Sequence, residues 1–163
     1  MLFKFRKHDS NLYNTLLFLS RNIFFYKEIK LDDTYETRIY LMFIHYSIIL
    51  FILKNNNQKP DQDNYNNFFL NIENNLRELG FGDVSVNKKM KEMNKIFYDI
   101  LLKLSSSTSK FKLNKILIYK YFHKMKNNEE KWEKFNDYFA VFHKFCFALT
   151  NNNMIKEIQN FKY

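Results

Sequence analysis

His143 and Cys146 lie three residues apart, a spacing that sets an imidazole and a thiol on the same side of a helix. Two such groups do not make a zinc site, and one histidine is a weak activating context for a thiol. His8, His45 and His123 are scattered along the chain. Gly80 and Gly82 flank Phe81, but they follow a helical pattern rather than a strand, with no Gly-Lys-Ser/Thr nearby, so they form no phosphate loop. The carboxylate pairs Asp32/Asp33 and Glu129/Glu130 stand at helix starts, where capping and the helix dipole account for them. No nucleophile or metal cluster assembles from these residues. The expectation is a non-enzymatic protein without a cofactor.

The best organised spacing belongs to cations. At 100° per residue, Lys88, Lys91 and Lys95 align on one side of a helix, with Tyr98 beside them, opposite Met90 and Met93. Such a row either solvates an exposed face or awaits an anionic partner. What positions it is a corner. Before the glycines, Tyr65, Phe68, Phe69, Ile72, Leu76 and Leu79 recur at helical spacing; after them Val86, Met90, Met93, Phe97, Ile100, Leu101 and Leu104 do the same. Gly80 stands where a helix C-cap needs a left-handed residue. Asp83 and Ser85 are placed to cap the next helix, and Arg77 is expected to brace the turn by pairing with Asp83 or a nearby carboxylate.

The rest of the chain reads as helices around this corner. The 163 residues fit one domain, and 46% hydrophobic content with 19 Phe and 11 Tyr is too apolar for a disordered chain. One proline and two glycines leave too little turn chemistry for a many-stranded fold. An all-α, single-domain bundle of about six to seven helices is expected, built around a buried apolar helix over Thr34–Lys54. Its middle, Ile39–Leu53, carries no formal charge. At 1.5 Å per residue that run spans only ~22 Å, short of a ~30 Å hydrocarbon core, and Tyr40, His45, Tyr46 and Ser47 interrupt it. It reads as a core helix, with His45 a hydrogen-bonded core histidine. Asp33 and Glu36 have capping-box spacing at its start.

A first helix is expected from a Ser10 cap to about Arg21, followed by an irregular FFYKEIKLDD run. The stretch 55–64, holding Pro60, reads as a loop. Beyond the corner, the polar run 105–109 leads into a helix over Lys110–Lys126. Asn127–Glu130 breaks it, and a last long helix runs from Trp132 to Thr150. Its two apolar stripes (Trp132, Phe135, Phe139, Cys146; Tyr138, Phe142, Phe145, Leu149) belong either to core or, in part, to an exposed groove. A short final turn is expected in Met154–Tyr163.

The net charge of +9, with a pI near 9.4, favours RNA, anionic lipid or an acidic protein, without selecting among them. The single cysteine, Cys146, precludes an intramolecular disulfide and suits a reducing compartment. The basic start Met1–Lys7 lacks a following apolar run and small-residue cleavage site, so no signal peptide is expected.

The segment LRELGFGDVSVNKKMKEMNKIFYD resembles the central motif of the ubiquinol–cytochrome c chaperone family, assembly factors for cytochrome b of the respiratory bc1 complex. The matching positions are Leu76, Arg77, Glu78, Gly80, Gly82, Asp83, Val86, Lys88, Lys89, Met90, Lys91, Met93, Phe97 and Tyr98. A weaker likeness covers most of the chain. Asp99 and Ile100 stand where the family often has Gly-Arg, which removes a basic group, and the family's alanine-rich helix faces are here Asn, Phe and Tyr. The resemblance implies an all-helical assembly chaperone with no enzymatic activity and no cofactor. Its implied partners are nascent cytochrome b, the ribosome, a small partner protein and the inner-membrane surface, and not DNA. It implies a working surface of Arg77, Glu78, Gly80, Gly82, Asp83, Lys88, Lys89, Lys91, Lys95 and Tyr98. At this length and without a transit peptide, the expected site of action is the cytoplasmic face of a bacterial inner membrane, or the matrix side if mitochondrial. The alternatives are a basic helical ribosome- or RNA-binding module, or a peripheral membrane module using the basic N-terminus.

Overall fold

A computed structural model of the chain describes residues 11–104, 110–149 and 153–163. The α-helices are α1 (Asn11–Ser20), α2 (Ile23–Lys27), α3 (Tyr35–Asn55), α4 (Gln62–Glu78), α5 (Asp83–Lys103), α6 (Lys115–Tyr121), α7 (Glu129–Ala148) and the one-turn α8 (Met154–Glu157). Two 3₁₀ turns, His123–Met125 and Ile158–Asn160, follow α6 and α8. No strand occurs among the described residues.

Helix α3 is the axis of the bundle. Its middle is buried on every side, because α1, α5 and α7 pack around it. Each fully buried Leu, Ile, Phe or Met there contributes about 1.5–3 kcal/mol relative to an exposed one. Among the described residues this is the single helix long and apolar enough to cross a membrane, and in this fold the other helices cover that surface. His45 is fully buried within it: Nδ1 lies 2.6 Å from the Leu41 carbonyl and Nε2 3.0 Å from the Tyr138 hydroxyl. The neutral tautomer with Nδ1–H donating and Nε2 accepting satisfies both nitrogens. Burial pushes its pKa down to about 3.

Several local expectations need correction. The FFYKEIKLDD run is not wholly irregular: Ile23–Lys27 forms α2, capped by the Asn22 side chain, and it drives Phe24 and Phe25 into the core against Tyr138. The N-cap of α3 is Thr34, whose hydroxyl accepts from the Thr37 amide, and not Asp33. Arg38 explains the difference, because its guanidinium claims the Asp33 carboxylate at 2.5 Å. The Lys110–Lys126 helix is shorter. It begins at Lys115 behind an Asn114 cap, while the Leu113 amide donates to the Asn136 side chain on α7. The Pro60 loop is shorter than the expected 55–64, because α4 begins at Gln62 behind an Asp61 cap; the Glu129/Glu130 first turn of α7 and the closing turn of α8 stand as expected. Both stripes of α7 face inward, so their aromatics make core rather than a groove, while Phe147 outside them is exposed. Phe135 and Phe139 meet Phe25, and Phe142 meets His45. Met1–Lys7, the Ser10 cap and the 105–109 run lie outside the described residues.

Candidate partner-binding site

The corner between α4 and α5 ends one helix and starts the next with four residues between them, Leu79 to Gly82. The Phe81 amide donates to the Leu76 carbonyl at 3.3 Å and the Gly80 amide to Arg77 at 3.0 Å, the paired bonds of a Schellman ending. That ending requires a left-handed residue, and Gly80 has φ +93°. Gly82, in extended backbone at φ −72°, is the N-cap of α5 and supplies no side-chain hydrogen bond. The expected Asp83/Ser85 cap is therefore absent. Asp83 is instead the first residue of the helix and turns its carboxylate back to Arg77.

Arg77 braces the turn as expected. One guanidinium nitrogen donates to Asp83 across the corner and the other to Glu73 at 3.0 Å within α4. These hydrogen bonds, the Asp83 one first, raise the Arg77 pKa above its ordinary value. The network lies on the surface. Leu79, expected in the α4 stripe, is also on the surface at 60% exposure, because the helix ends before its register returns inward.

The expected surface residues do not all gather. Lys88, Lys91 and Lys95 lie exposed on the outer side of α5, with no carboxylate at ion-pair distance among the described residues. Tyr98 joins them, its hydroxyl 3.1 Å from that of Tyr65. Lys89 leaves the row and sets its amine 4.7 Å over the Phe81 ring, a cation–π contact that folds it onto the corner. Glu78 faces a different space, a cleft of about 320 Å³ shared with Tyr13, Arg21, Arg38 and Asn75. Met93 is buried in the core and Met90 is half-buried against it, so the methionines lie away from the lysine row.

Two features lay beyond the reach of sequence reading. Asp99 is a junction: its carboxylate accepts from Lys103 at 2.6 Å, Lys120 at 2.7 Å and the Tyr121 hydroxyl at 2.5 Å, tying α5 to α6. Those donors hold its carboxyl well below the usual carboxylate range. The second is an apolar groove of about 570 Å³ at the far end of α5, lined by Leu50, Phe51, Leu101, Leu102, Pro60 and Lys59 among others. The adjacent leucines were its one sequence signal: Leu102 lies 100° round the helix from Leu101, on the side that carries the lysines.

Cys146 is buried, which pushes its thiol pKa up, whereas the His143 ring stacks on Phe111 at 4.5 Å, so the two do not form a site. No group of three or more His, Cys, Asp or Glu side chains suited to a metal occurs among the described residues.

The fold and corner thus define an all-helical protein whose distinctive surface is a braced interhelical turn leading into a cationic helix. The chain belongs to the ubiquinol–cytochrome c chaperone family, whose model (Ubiquinol-cytochrome C chaperone) matches residues 27–154, from the end of α2 to the start of α8. Neither the curated proteins nor the solved structures contain a match to it.

Proposed function

We propose that this chain is an assembly chaperone of the bc1 complex that holds newly made cytochrome b, with the α4–α5 corner and the outer side of α5 as its working surface. The observation that carries the reading is the placement of the family motif. Its polar residues fold into an exposed turn braced by Arg77–Asp83, next to three exposed lysines with no carboxylate at ion-pair distance among the described residues. An apolar membrane subunit needs apolar contact area, and Leu79 and Phe81 stand exposed around the same corner. The working place that suits such a client is the cytoplasmic face of an inner membrane, where a new membrane protein leaves the ribosome.

Deleting the gene and measuring spectroscopic cytochrome b together with ubiquinol–cytochrome c reductase activity tests this. Both should fall, and be restored by the wild-type chain but not by Gly80→Val, which forces a β-branched residue to φ +93°. Normal levels of both in the deletion strain would sink the reading.

The unpaired lysines give a second reading, a basic module for ribosomal RNA without a specific client. Binding of that kind falls steeply with salt and survives a distorted corner.

A further inference from the structure

The outward side of α5 carries more than lysines. Val84, Lys88, Lys91, Lys95, Tyr98 and Leu102 fall within a sector of about 80° on the helix. All six are exposed, Val84 at 85% and Leu102 at 79%. Val84 and Leu102 are five turns apart, about 27 Å. The row is therefore cationic in its middle and aliphatic at both ends. Leu102 continues into the groove holding Phe51 and Lys59. The nearest anions do not cancel the row: Asp99 is consumed by Lys103, Lys120 and Tyr121, and Glu92 lies about 40° outside the sector with no ion pair among the described residues.

We infer that this side of α5 docks flat on an anionic lipid bilayer, with Lys88, Lys91 and Lys95 on headgroup phosphates and Val84 and Leu102 dipping into the acyl boundary. The inference rests on the chaperone reading only for its biological setting and names the surface partner of the same site. Three lysines in one line match a plane of negative charge. Exposed aliphatic groups at both ends distinguish a bilayer from RNA, which rewards aromatic stacking platforms, and only Tyr98 here has a ring. A protein partner fits less well, because protein interfaces place apolar groups centrally and charges at the rim, the reverse of this order.

The test is sedimentation of the purified full chain with phosphatidylglycerol–phosphatidylcholine vesicles and with pure phosphatidylcholine vesicles. Binding to the anionic vesicles alone is expected, weakening with salt. At roughly a factor of five per lysine, Lys88→Gln/Lys91→Gln/Lys95→Gln should weaken it about a hundredfold. Val84→Ser/Leu102→Ser should weaken the remainder that salt does not remove, while circular dichroism confirms that both variants fold. The control Lys4→Gln/Arg6→Gln/Lys7→Gln should retain most binding. The inference is overturned by no binding to anionic vesicles, by equal binding of the triple-lysine variant, by loss confined to the N-terminal variant, or by binding to RNA and not to vesicles. Because no client is present, failure here leaves the cytochrome b reading standing, and failure of the deletion test leaves lipid docking standing.

Discussion

Arg77 on the last turn of α4 donates to Asp83 on the first turn of α5, so one ion pair spans the corner where the chain reverses. Both side chains are solvent-exposed, and such a pair adds little to global stability. Its consequence is local: it orients two helix ends whose turn geometry is set by Gly80.

Gly80→Ala should therefore destabilise the fold. A Cβ at this position meets nothing within 4 Å, so the cost is torsional, about 1–2 kcal/mol at φ +93°. Urea denaturation should show a lower midpoint with an unchanged slope. An unchanged midpoint would mean that the left-handed turn is not maintained in solution.

Gly82→Ser should act in the opposite direction. Gly82 is an N-cap in extended backbone with no side-chain hydrogen bond and open space around it. A serine hydroxyl there can accept from a first-turn amide of α5, a gain of a few tenths of a kcal/mol. The expected result is a small rise in thermal midpoint, where Gly80→Ser falls.

His45 makes the protein acid-sensitive. Burial lowers its folded pKa to about 3, below its ordinary 6.5, so the unfolded state binds the proton first as pH falls. The stability from keeping it neutral is complete above pH ~6.5 and is lost progressively down to pH ~3, at about 1.4 kcal/mol per pH unit. Thermal midpoints should drop across that window. In His45→Leu/Tyr138→Phe, which removes the titrating ring and its hydroxyl partner together, the drop should flatten. An equal slope in both proteins would assign the acid transition to other groups.

Phe25→Ala should cost about 3–5 kcal/mol, the range for emptying a buried phenylalanine site. Phe25 is fully buried and its ring meets Phe135, Tyr138 and Phe139, joining α2 to α7. Chemical denaturation measures it directly, and a loss below about 1 kcal/mol would contradict this packing.

The corner was legible because its signals are local. A glycine, two amphipathic patterns and an oppositely charged pair six residues apart all report on the same turn. The central helix was legible for the same reason, a charge-free run longer than any loop tolerates. What escaped depends on contacts distant in sequence. Helix α2 has only five residues, too few for periodicity, and exists because Phe24 and Phe25 meet Tyr138. Asp99 read as the loss of a basic group until Lys120 and Tyr121 arrived from α6. Thr34 and Asp33 can both cap a helix, and Arg38 decides between them by taking the Asp33 carboxylate. The Leu102 groove needs α3 and the Pro60 loop to form its walls. In the candidate site, the lysine row followed from helical spacing, but the turning of Lys89 onto Phe81 did not.

Capture of the client decides whether the chain holds newly made cytochrome b. Cells carrying the tagged chain would be pulse-labelled, cross-linked and lysed, and the labelled proteins held by the chain identified. Newly made cytochrome b should be captured by the wild-type chain and by Gly82→Ala, and capture should be lost with Gly80→Val. Cytochrome b absent from the wild-type capture, or captured equally by Gly80→Val, would contradict the proposed function.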